Sequence, residues 1–60
     1  MIEFTAYRGG RVAVNPMLVF AIEAVPEGGT QIVSAAGGVV VVKEEFGEVH
    51  RRIGAWAKSG

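Results

Sequence analysis

The sequence predicts an α+β fold: about five short strands, paired as β-hairpins into a small antiparallel sheet, followed by one C-terminal amphipathic α-helix. Three observations carry this. Gly-Gly doublets at Gly9-Gly10, Gly28-Gly29 and Gly37-Gly38 separate β-type runs, where glycine supplies the positive φ that tight hairpin turns demand. The hydrophobic period changes at Glu44, from about 2 residues to about 3.6. With 60 residues, the chain makes a single domain over 1–60 and buries only roughly 60% of the surface that its unfolded form exposes.

The first strand is expected over 1–7, where Ile2, Phe4 and Ala6 share one face and Glu3, Thr5 and Tyr7 the other. After a turn at Arg8-Gly9-Gly10, a second strand is expected over 11–14, with Val12 and Val14 inward. Asn15-Pro16 breaks the ladder, because proline has no N–H to donate and biases its predecessor away from helix. The segment 18–25 fits helix or strand by period alone. Its β-branched content and the Pro26-Glu27-Gly28-Gly29 turn favour strand. Strands over 30–34 and 39–42 form a further hairpin across Ala35-Ala36-Gly37-Gly38.

A helix is expected over 44–57. Phe46, Val49, Ile53, Trp56 and Ala57 project onto one arc, with Glu48, Arg51, Arg52 and Lys58 opposite. Glu44 and Glu45 suit the positive end of the helix dipole, and Glu48 and Arg52 are spaced as an i,i+4 pair. Gly47 and Gly54 cost this helix about 1 kcal/mol each relative to alanine, and their shared edge of the arc, beside His50, fits either a close backbone approach or glycines tolerated on a solvent edge.

A core this small is marginal, and the chain has no Cys and one His, so disulfide and metal staples are nearly closed routes. Oligomerisation is left. The run Val39-Val40-Val41-Val42 lacks polar alternation and calls for cover on both faces, yet one helix covers one. Val19, Ala21, Val25 and Val33 add apolar groups to the faces opposite Phe20, Ile22 and Ile32. A homo-oligomer follows, with Val19, Ala21, Val33, Val39, Val41, Lys43, Glu44 and Trp56 as its candidate interface.

The sequence argues against catalysis, metal and cofactor. The only His is His50, no Asp is present to orient it, and the doublets fit neither phosphate-loop spacing. Six basic residues balance six Glu, so no long-range field favours nucleic acid or an anionic membrane. Arg8, Arg11, Arg51 and Arg52 are the donors available to a small nucleotide-like anion. The longest uncharged apolar run, Met17 to Ile22, is far short of the roughly 20 residues that span a bilayer, and the start lacks a signal-peptide core. A cytoplasmic location is expected.

In the order and spacing of Val14-Asn15-Pro16, Ile22-Glu23, Pro26, Thr30, Gly37, Val42-Lys43-Glu44, Glu48-Val49 and Ile53, the chain resembles the FlbD/SwrD family of small flagellar and swarming-motility proteins. The pattern covers nearly the whole chain. The turn Pro26-Glu27-Gly28-Gly29-Thr30 is two residues longer than the family's usual Pro-Asp-Thr, and the valine run stands where the family tends to carry lysines. The resemblance implies a non-enzymatic accessory protein, a possible partner of the flagellar apparatus, with Lys43-Glu44 as an exposed contact. A weaker similarity, in the opening hairpin and the acidic-start helix, is to the CsrA-type RNA-binding regulators.

Overall fold

The structure is a computed structural model and describes residues 1–59. β1 (Ile2–Thr5) pairs antiparallel with β2 (Arg11–Val14), from Ile2 opposite Val14 to Thr5 opposite Arg11. β1 is shorter than the expected 1–7. Ala6 has already entered the turn, its carbonyl accepting the Gly9 N–H at 2.9 Å while it bridges across to Val42.

β3 (Val19–Ala24), β4 (Thr30–Ser34) and β5 (Val39–Val42) form a three-stranded antiparallel meander. The expected strand over 18–25 gives up Leu18 to a 3₁₀ turn, Pro16–Leu18, and stops at Ala24. Asn15 starts that turn: its side-chain oxygen accepts the Met17 N–H at 3.0 Å, and proline at the first helical position has no N–H to leave unpaired.

The five strands thus divide into two sheets, where the sequence predicts one. A corner joins them. There Ala6 bridges Val42, the Tyr7 N–H donates to Val41 O at 2.9 Å, and the Lys43 N–H donates to Thr5 O at 2.8 Å.

α1 (Phe46–Ser59) starts and ends later than the expected 44–57, and lies against β3 and the 3₁₀ turn. Ile2, Phe4, Ile32, Val42 and Val49 form the core, drawn from β1, β4, β5 and α1, with Val12, Val14, Ile53 and Trp56 packed around it. Burying each such side chain contributes roughly 1.5–3 kcal/mol. Thr30 is fully buried among them and satisfied, its hydroxyl donating to Glu44 O at 2.8 Å.

Two packing expectations are corrected. Phe20, grouped with Ile22 and Ile32, is 77% exposed, because the β3–β4 register shifts between Val19 and Ala21. That bulge breaks the alternation on which the grouping relied. The valine run is covered unevenly: Val42 is buried and Val40 packs on the core, while Val39 is 59% exposed.

Among the glycines, Gly29 has the strongest structural requirement. It sits at φ +90°, and a Cβ there would collide with the Val42 carbonyl oxygen. No close approach occurs at Gly47 or Gly54, where an added Cβ meets nothing within 4 Å.

Candidate interaction surface

The strand register decides which apolar residues stay uncovered. Ala21, Val33 and Val39 are aligned across β3, β4 and β5, and in the next row Glu23, Gln31 and Val41 are aligned. Cross-strand partners share a face. The opposite face carries Ile22, Ile32, Val40 and Val42, which the other sheet and the helix cover. On the first face Ala21, Val33 and Val41 are half-buried and Val39 is exposed, and Phe20 projects beside it at the bulge.

Of the eight residues expected at an interface, the structure brings Ala21, Val33, Val39 and Val41 together on this face. Val19 and Trp56 lie elsewhere, packed on the core. The surface continues into a hollow of about 600 Å³ lined by Tyr7, Arg8, Val25, Glu27, Val39 and Val41. Tyr7, expected on the outer face of the first strand with Glu3 and Thr5, is 51% exposed, whereas the exposure of Phe20 is not foreseen in the sequence. The bulge that exposes Phe20 follows from pairing, and no sequence signal marks it.

Lys43 is exposed as expected, but Glu44 is half-buried and engaged. Both its carboxylate oxygens accept the Thr5 N–H at 3.0 Å, and one accepts the Thr5 hydroxyl at 3.1 Å. Partial desolvation pushes the Glu44 carboxyl upward, but the Thr5 bonds, its own backbone N–H and the Arg52 charge outweigh it. The group ends below its ordinary value. The expectation that Glu44 and Glu45 serve the first turn of the helix is corrected accordingly. Both precede α1, and Glu45 accepts the Gly29 N–H at 3.3 Å.

The four candidate anion donors are mostly occupied. Arg11 pairs with Glu3, and Arg51 with Glu48 at 2.7 Å. Arg52 lies 4.0 Å from Glu48 through Nε, donates to Glu3 O at 2.9 Å, and stacks over the Phe4 ring at 4.6 Å. Arg8 stands apart in the β1–β2 turn, lining the hollow. His50 is exposed, its ring 5.8 Å from that of Phe46. Among the described residues no three His, Cys, Asp or Glu side chains gather as metal ligands, and no helix is long and apolar enough to cross a membrane.

Compared with known families, the chain is similar to FlbD, described as Flagellar and Swarming motility proteins, over residues 1–59. No curated protein and no solved structure matches it.

Proposed function

Because the chain belongs to the FlbD family of flagellar and swarming motility proteins, we propose that it is a non-enzymatic accessory protein of that apparatus, working as a homo-oligomer. The observation that carries this reading is the one-sided cover of the three-stranded sheet. Ala21, Val33, Val39 and Val41 share the sheet face turned away from the core, with Val39 exposed, the other three half-buried and exposed Phe20 at the margin. Contiguous apolar surface of this kind is costly to leave in water and usually marks a contact.

The oligomer presents Lys43 and the helix's charged face outward, toward a protein of the flagellar apparatus. Two other readings have less support. RNA binding or capture of a small anion needs free, converging cations, and Arg11, Arg51 and Arg52 are held by Glu3 and Glu48. RNA binding, if present, would weaken steeply as salt rises.

Val41→Glu tests the assembly. The protein should fall to monomer size by light scattering while keeping its circular dichroism spectrum, and swarming of a deletion strain should not be restored by it. Unchanged size with the fold intact would refute the oligomer. Full restoration of swarming by a monomer would refute its role.

A further inference from the structure

A second surface, which shares Val39 with the valine face, lies along the free edge of β2. In the β1–β2 hairpin the Ala6 N–H donates to Gly10 O at 3.0 Å, so Ala6 and Gly10 are a bonded pair. Bonded and non-bonded pairs alternate in an antiparallel ladder. Phe4–Val12 and Ile2–Val14 are therefore bonded, and Glu3–Ala13 and Thr5–Arg11 turn their N–H and C=O groups outward.

On the β1 side three of the four outward groups are used. The Thr5 N–H goes to the Glu44 carboxylate, Thr5 O accepts the Lys43 N–H, and Glu3 O accepts Arg52. On the β2 side, the outward groups of Arg11 and Ala13 have no protein partner among the described residues, since β2 pairs with β1 alone.

A groove of about 280 Å³ runs beside this edge, lined by Val12, Ala13 and Val14 of β2, by Leu18 and Val19, and by residues of β4, β5 and their turn from Ile32 to Val40. Ala13 lines it although its Cβ points away from the core side shared by Val12 and Val14, so the strand's edge itself is presented. The groove has no charged side chain in its lining. A charged occupant would lose hydration there without a counter-charge, whereas an uncharged apolar one matches it. Of the edges of the other sheet, β5 is met by Ala6 and Tyr7 at Val42 and Val41, and β3 is interrupted by its bulge, a device that discourages strand addition and that β2 lacks.

We propose that the β2 edge and its groove form a strand-addition site for an extended, uncharged segment of a partner protein with apolar side chains at alternate positions. The added strand bonds to the outward N–H and C=O groups of Arg11 and Ala13 and lays every second side chain into the groove.

The probe is a capped peptide of alternating threonine and valine with a terminal lysine at each end for solubility, labelled for fluorescence anisotropy. Saturable binding at micromolar concentration is expected, weakened at least tenfold when the valines are replaced by lysine. Ala13→Pro removes an outward N–H and no β1–β2 bond, and should weaken binding at least tenfold. Gly38→Leu fills the groove from a position where a Cβ meets nothing within 4 Å, and should do the same. Val41→Glu should leave peptide binding intact, which separates this site from the valine face. The proposal is overturned by absence of saturable binding below millimolar peptide, by equal binding of the lysine peptide, or by binding that survives both groove variants. It is also overturned if Ala13→Pro dissociates the oligomer, because the β2 edge then pairs with a second copy.

Discussion

Glu44 shows how one residue, through its side chain and its main-chain carbonyl, can tie a strand of each sheet to the start of the helix. Its carboxylate holds Thr5 of β1, while its carbonyl receives the buried Thr30 hydroxyl of β4. Glu44→Gln keeps an acceptor but loses the charge, and should cost about 1–3 kcal/mol in chemical denaturation at pH 7. The folded-state pKa of Glu44 is lowered, so its contribution is present above the unfolded value of about 4.3 and is lost as pH falls through the folded value. The gap between wild type and Glu44→Gln should therefore narrow as pH falls from above the unfolded value through the lowered folded one. Gly29 offers the second test at this scale. Gly29→Ala combines positive φ with a collision against the Val42 carbonyl, and should destabilise by about 2–4 kcal/mol in thermal melts.

At the scale of elements, α1 is anchored by Val49, which is fully buried in the core. Val49→Ala should cost about 2–3 kcal/mol by denaturant titration, the loss of two methyl groups plus the cavity they leave. Gly47 and Gly54 behave oppositely: their added methyl groups meet open space in the protomer. Gly47→Ala and Gly54→Ala should each raise stability by up to about 1 kcal/mol. If either substitution lowers the size of the proposed homo-oligomer, that helix edge belongs to its interface. The helix itself was legible from Val49, Ile53 and Trp56, because an apolar period of about 3.6 residues matches the turn of an α-helix and no strand repeat. Its start was not, because Glu44 and Glu45 satisfy a helix dipole and a tertiary hydrogen bond equally well in sequence.

For the whole molecule, small size and the open valine face lead to one expectation. If folding and association are coupled, the melting temperature should rise with protein concentration over a hundredfold range, while a monomer would show none of this dependence. From the valine run the sequence predicts an interface, and the register places four of its eight candidates, Ala21, Val33, Val39 and Val41, on one sheet face. Val19 and Trp56 could not be separated from them beforehand. An apolar residue on a short strand or a helix margin reads the same whether its face meets the core or solvent.

Local chemistry was sufficient for the strands over 11–14, 30–34 and 39–42, the turns at the glycine doublets and the closing helix, since alternation, positive-φ residues and helical period act over neighbouring residues. Tertiary structure decided the rest: the division into two sheets at the Ala6–Val42 corner, the bulge that turns Phe20 outward, the capture of Glu44 by Thr5, and the need for glycine at position 29. Each depends on which distant backbone arrives alongside. A contact between residues such as Thr5 and Glu44 leaves no periodic trace in the segments that make it.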